Sequence, residues 1–247
     1  MVQDAGHKHM ENTISVIKAV IFDLDDTLYD CSGTLIVRGR RQVAKTIAKL
    51  ISCSEEEAFR LQNDLEEKHG TKCNVYEYIV AMYNLPPSCG KRLLDEYICV
   101  EISGIALFPG VIETLIQLKK QKYMLFLVTS GEMLVQKNKI NALGLGNNYF
   151  DKILIVERDG EQKKKDYFKE IMRHGNLRVE EIICVGDKID DEIAAGKTLG
   201  MITILFEHGR HYRAFLQNKG IQIKPDYVIK NIADILELVR RPEYNKE

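Results

Sequence analysis

The sequence has no excess of charge of either sign, no apolar run of membrane length and no closely spaced cysteine pair, and each absence removes a class of function. Across 247 residues, Lys and Arg number 35 against 36 Asp and Glu, giving a formal net charge of −1. General nucleic-acid binding draws on a basic surface that displaces counterions, so this balance argues against it. The longest apolar runs, such as Met124-Leu125-Phe126-Leu127-Val128, are strand-sized and fall short of the roughly 20 residues that cross a bilayer. Met1 to Lys18 is polar and lacks a basic segment followed by an apolar one, so no export signal is expected. Cysteines stand at 31, 53, 73, 89, 99 and 184 without a C-x-x-C pair. Reduced, packed thiols are expected in preference to a disulfide scaffold or a zinc site. With 45% hydrophobic and 29% charged residues, the composition is that of an ordinary folded chain. A soluble, cytoplasmic protein with no membrane or nucleic-acid partner is expected, as a monomer or a homodimer.

What is present is a series of short, continuous apolar runs: Lys18 to Asp23, Tyr123 to Thr129, Lys152 to Val156, Ile182 to Asp187, Met201 to Phe206 and, more weakly, Asp226 to Ile229. Runs without alternation suit strands of a parallel sheet covered on both faces. Helical patterns lie between them, at Gly110 to Gln121, Glu132 to Leu143, Lys165 to His174 and Asp191 to Leu199, the last three followed by Gly144, Gly175 and Gly200. Strand and helix in alternation predict an α/β fold with a doubly wound parallel sheet. Ligands of such sheets bind beyond the carboxyl ends of the strands, which singles out Asp23, Thr129 and Asp187. The alternation breaks between the first two strands. There, four helical patterns (Arg40 to Ile51, Glu55 to His69, Val75 to Tyr83 and Gly90 to Ile102) predict a helical subdomain, since a loop of that length is rare.

The strand ends carry the chemistry. Asp23, Asp25 and Asp26 fall within four residues; such acids repel one another unless a cation relieves them, and carboxylate oxygens suit Mg²⁺. An acidic turn capping the next segment is the simpler alternative. Thr129 and Ser130 could hold an anion ahead of a helix, or cap that helix. Asp187 is followed by Asp190, Asp191 and Glu192, again acids at a strand end. Lys163, Lys164 and Lys165 supply the opposite charge, or form a solvated helix start.

Together these segments resemble the haloacid dehalogenase-like hydrolase superfamily. Its D-x-D-x-T-[LV] motif stands as Asp23-Leu24-Asp25-Asp26-Thr27-Leu28, and its Thr or Ser motif as Thr129. Its lysine lies within Lys163 to Lys165, and its G-D motif is Gly186-Asp187, with Asp191 and Glu192 both at the permitted spacing for the following acid. The order holds from Lys18 to about Val239. The helical insertion, with Phe108-Pro109-Gly110-Val111 at its return, is similar to the cap of subfamily I. The resemblance implies a Rossmann-like core over 1–30 and 108–247 and a cap over 31–107.

It also implies a Mg²⁺-dependent phosphatase acting on a small phosphorylated metabolite through an aspartyl-phosphate. Asp23 would be the nucleophile, Asp25 the acid and base, Thr129 a phosphoryl ligand and a lysine the neutralising charge. Lys164, four residues before Phe168, fits the lysine best and Lys163 next, in a segment lacking the prolines of the usual K-P-x-P-x-x-F pattern. Ser130, Gly131 and Lys163 are expected near the substrate. Mg²⁺ would be held by Asp23, the Asp25 backbone carbonyl and Asp187, with Asp191 or Glu192, the latter favoured, behind it. Dehalogenase members generally lack the acid at the position of Asp25, because a departing halide needs no proton. A phosphomutase or phosphotransferase, or a non-catalytic member, is the alternative. Arg38, Arg40 and Arg41 read either as contacts to a second anion or as an exposed helix start, and His208 to Tyr212 as a rim loop.

Overall fold

All of the apolar runs form strands. β1 (Ala19–Phe22), β2 (Met124–Ser130), β3 (Lys152–Val156), β4 (Ile182–Gly186), β5 (Ile202–Phe206) and β6 (Tyr227–Ile229) make one sheet in the order β3-β2-β1-β4-β5-β6. All five pairings are parallel. The computed structural model describes residues 17–240 apart from 147, 158, 159, 218, 219 and 221. The stretch read for an export signal lies outside the described residues at 1–16, as does the end of the expected core at 241–247.

Successive residues of a strand point to opposite faces, and β1 shows why both faces are apolar. Val20 and Phe22 join one buried cluster with Leu115, Leu118 and Ile140, while Ala19 and Ile21 join the other with Phe168 and Ile171. The helices supplying these contacts follow from the chain order. Between β1 and β2 come α1 (Val37–Ile51), α2 (Glu55–His69), α3 (Val75–Met82), α4 (Ser88–Ile98) and α5 (Val111–Lys120). Beyond β2 lie α6 (Met133–Ala142), α7 (Lys164–Gly175), α8 (Ala194–Leu199), α9 (Gly209–Gln217) and α10 (Ile235–Leu238). The connections reverse direction between β1 and β4, the neighbours at the middle of the sheet. That is where a doubly wound sheet opens a crevice. The Asp23 N–H donates to Val185 O at 3.0 Å, so the two acidic strand ends are fixed side by side.

The inserted helices α1–α4 bury an apolar cluster of their own, in which Val43, Ala44, Ile47, Leu65, Ile79 and Leu93 pack together. Helix α2 starts where the sequence places it, because Ser54 and Glu57 form a reciprocal capping box that satisfies two end amides. The chain leaves and returns by adjacent paths: Phe108 N–H donates to Leu28 O at 2.9 Å, and Tyr29 bridges Leu107.

Several boundaries differ from the expectation. Helix α1 begins at Val37, continuous with a wide turn over Ser32–Ile36, so Arg38, Arg40 and Arg41 lie within a helix and not at its exposed start. Helix α4 ends at Ile98, four residues early. The rim loop from His208 is instead the start of α9, held because Tyr212 and Phe215, at i and i+3, pack on Ile189, Ile193 and Leu205. Among the described residues no helix is long and apolar enough to cross a membrane.

Candidate active site

Four side chains from two strand ends, one turn and one helix start converge at the crevice. Asp23 follows β1, Asp187 follows β4, Glu192 stands in the turn leading to α8, and Lys164 opens α7. Lys164 is only 4% exposed, and its ammonium donates to Asp23 Oδ1 at 2.6 Å and to Glu192 Oε2 at 2.7 Å. Asp191 is farther, with Oδ2 at 3.7 Å from the same nitrogen. Glu192 is fully used, because its Oε1 also accepts from the Lys188 N–H at 2.6 Å. Gly186 makes room for it: a Cβ there would collide with the Glu192 side chain.

The charges do not balance. Oxygens of Asp23, Asp187 and Glu192 lie within 4.8 Å of one another, against one contacting lysine. Burial pushes Asp23 up to about 7, with Lys164 opposing the rise and Glu192 adding to it. Asp187 is driven well above the carboxylate range by burial and then by the neighbouring Glu192, Asp23 and Asp26. Lys164 is held charged: burial alone would lower it, but Asp23, Glu192 and Asp191 together hold it well above the ordinary lysine value. Asp187 Oδ2 is buried with no hydrogen-bond partner among the described residues. A buried, unpartnered carboxylate oxygen beside two further carboxylates fits a hard divalent cation.

Asp25 lies in a different environment. Lys139 Nζ donates to its Oδ1 at 2.9 Å and its Oδ2 at 2.8 Å, the Tyr29 hydroxyl donates to Oδ1 at 2.6 Å, and Gln136 Nε2 reaches Oδ2 at 3.2 Å. Burial would raise this carboxyl, but the Lys139 charge and these donors hold it below the usual carboxylate range. Gln136 also donates to Thr129 Oγ1 at 2.6 Å and Ser130 O at 3.1 Å. Sequence reasoning missed Lys139, Gln136 and Tyr29. A signal for two of them exists: Gln136 and Lys139 interrupt the inward stripe of α6 that continues through Ile140 and Leu143.

The remaining expected residues are placed as follows. Asp26, the third acid of the first motif, turns away: in a left-handed backbone conformation (φ 57°) it accepts from Ser32 N–H at 2.7 Å and Ser32 Oγ at 2.5 Å. Lys163 is exposed at the start of α7 with its ammonium on Gly160 O at 3.1 Å, outside the acidic cluster. Lys165 is half-buried and has no ion pair among the described residues. The Gly131 N–H is committed to Val156 O at 3.0 Å, so it is not free for a ligand in this conformation. The three arginines separate. Arg38 binds the Glu101 and Ser103 carbonyls, Arg41 pairs with Glu56 over the Phe59 ring, and Arg40 is buried against Glu66, which also pairs with Arg210. All six cysteines are unpaired.

Comparison with known proteins bears on the family. The family model described as haloacid dehalogenase-like hydrolase matches residues 20–206. A glyceraldehyde 3-phosphate phosphatase of Pyrococcus furiosus is 28% identical, over 91% of this chain and 94% of its own. A ribulose-1,5-bisphosphate 5-phosphatase of Halopiger xanaduensis is 24% identical, over 90% and 98%. Among solved structures, a phosphatase of the same superfamily from Thermococcus onnurineus superposes with a TM-score of 0.60 at 23% identity, covering 91% of this chain and 98% of that one.

Proposed function

Since the chain belongs to the haloacid dehalogenase-like hydrolase family, we propose that it is a phosphatase of a small phosphorylated metabolite and that Asp23 is its nucleophile. The carrying observation is the buried Asp23–Lys164–Glu192 arrangement beside Asp187. A charged lysine holds one Asp23 oxygen at 2.6 Å at the end of β1, and nucleophilic attack on phosphorus requires a carboxylate fixed in this way.

In the first half-reaction an Asp23 oxygen bonds to phosphorus, the ester P–O bond breaks, and Asp25, which must first take up a proton from solvent because Lys139 favours its ionised form, gives that proton to the departing oxygen. In the second, water bonds to phosphorus, the Asp23 O–P bond breaks, and Asp25 takes the water proton. Thr129 orients the phosphoryl group: its hydroxyl already accepts from Gln136, so its own hydrogen is left to donate. Lys164 neutralises charge gathering on the phosphoryl oxygens. Asp23, the Asp25 backbone carbonyl and Asp187 would hold Mg²⁺, which supplies further charge stabilisation to the phosphoryl oxygens when bound. The unpartnered Asp187 Oδ2 supports that donor set over one using Glu192, whose two oxygens are already occupied.

In this reading the helices over 31–107 are a cap on the core of 1–30 and 108–247. They reach the catalytic side through Lys72, paired with Asp190 at 2.5 Å, and through Arg40 and Glu66 against Arg210. The test is phosphate release from a panel of phosphorylated metabolites, with Mg²⁺ and with chelator. Release that needs the cation and vanishes in Asp23→Asn is expected; full activity in that variant would eliminate the mechanism.

A further inference from the structure

We propose that Lys139 is a positioning residue for the proton transfers of Asp25, acting with Tyr29 and Gln136; the proposal rests on the phosphatase reading above. Asp25 stands in the turn after β1, and an acid of this kind serves only within hydrogen-bond reach of the oxygen it protonates. Lys139 is 8% exposed on the inward side of α6, next to the core residue Ile140. An ammonium buried there is costly unless it is paired. Its carboxylate partner among the described residues is Asp25, and it contacts both oxygens.

Gln136, 1% exposed, joins this pair to the phosphate side. A single amide nitrogen donates to Thr129 Oγ1 and Ser130 O and reaches Asp25 Oδ2. Tyr29 closes the set from the start of the insertion, 2.6 Å from Asp25 Oδ1. Helix α6 therefore fixes the acid/base group and the phosphoryl-orienting hydroxyl as one unit, one helical turn apart. These three residues hydrogen-bond the Asp25 carboxylate, whereas the Asp23 carboxylate is held by Lys164.

Leaving-group chemistry distinguishes positioning from a structural ion pair. A nitrophenolate departs without a proton, whereas an alkoxide needs one, so only the alkyl ester depends on where Asp25 lies. The experiment follows the first half-reaction by rapid quench under single-turnover conditions, using p-nitrophenyl phosphate and glycerol 3-phosphate with Mg²⁺. In Lys139→Met, alcohol release from glycerol 3-phosphate is expected to slow by about 10²-fold or more, with nitrophenol release within roughly threefold of wild type. Lys139→Arg, which keeps the charge and the reach, is expected to recover most of the loss. Tyr29→Phe is expected to give the same pattern in smaller measure, and it keeps the test open if Lys139→Met does not fold. Equal losses on both esters, or no loss on either, would overturn the positioning role alone. A wild-type protein that cleaves neither these esters nor any member of the metabolite panel would overturn the phosphatase reading, and the positioning role with it.

Discussion

Asp187 is a buried acid that the described residues leave partly unsatisfied. Its carboxyl is 2% exposed and has one oxygen without a partner, and burial with three neighbouring acids pushes it toward the protonated form. Replacing it by Asn removes a charge that the metal-free protein does not stabilise. Asp187→Asn is therefore expected to raise the thermal midpoint in chelator by roughly 2–8 °C, about 1–2 kcal/mol. The variant is also expected to lose the stabilisation that Mg²⁺ gives wild type; a lower midpoint in chelator would contradict this reading. At this scale Asp23, Asp187, Thr129 and Lys164 were legible because each stands at a strand end or helix start, where a polar residue beside an apolar run needs a reason. Lys139 was missed, since one lysine on a helix is ordinarily solvated; its place in the inward stripe of α6 is a sign in the sequence, and three-dimensional packing shows its partner, Asp25. Choosing Lys164 over Lys163 depended on which of two adjacent residues faces inward at the start of α7, and Phe168, fully buried one turn later, carried that information.

Among the elements, the turn from β4 to α8 is the most constrained. Glu192 folds back over Gly186 to meet both Lys164 and the Lys188 N–H. Gly186→Ala places a methyl group against that carboxylate and is expected to lower turnover by about tenfold or more while the protein stays folded, since misplacing a charged group disrupts preorganisation. Wild-type turnover in that variant would show that Glu192 is not needed where it stands. In the insertion, Ile47→Ala opens a cavity in a fully buried position and is expected to cost about 2–5 kcal/mol, measured by denaturant unfolding. The strands were legible nearly to the residue because continuous β-branched runs have few other uses. Helix α9 was hidden by Gly209 and His211 at its start; its apolar contacts, Tyr212 and Phe215, are too few to establish a helical period without the groove formed by Ile189, Ile193 and Leu205. The extent of α4 was overread because apolar residues continue past the point where the chain turns back toward Leu107.

Across the whole molecule, charge at the crevice couples stability to pH and to the cation. Asp23 titrates at about 7 when folded against an ordinary 3.8, so between those values the folded chain holds a proton that the unfolded chain has released. The contribution of this group to stability therefore falls as pH rises through that window, and Asp187 acts in the same direction. A cation binds the deprotonated carboxylates and competes with those protons. Mg²⁺ is thus expected to raise the thermal midpoint more at pH 8 than at pH 5, as read by melts with and without chelator; equal shifts at both pH values would contradict the assignment of these acids to a cation. In the proposed mechanism, helices, sheet and side chains all serve one event, the attack of a single carboxylate on phosphorus. The most direct measurement is to quench the turning-over protein in acid and locate any phosphoryl group by peptide mass spectrometry. One phosphoryl group on Asp23, removed by hydroxylamine and missing from Asp23→Asn, is the expected result. Phosphate release with the label on another residue, or with no covalent label at all under single-turnover quench, would contradict it.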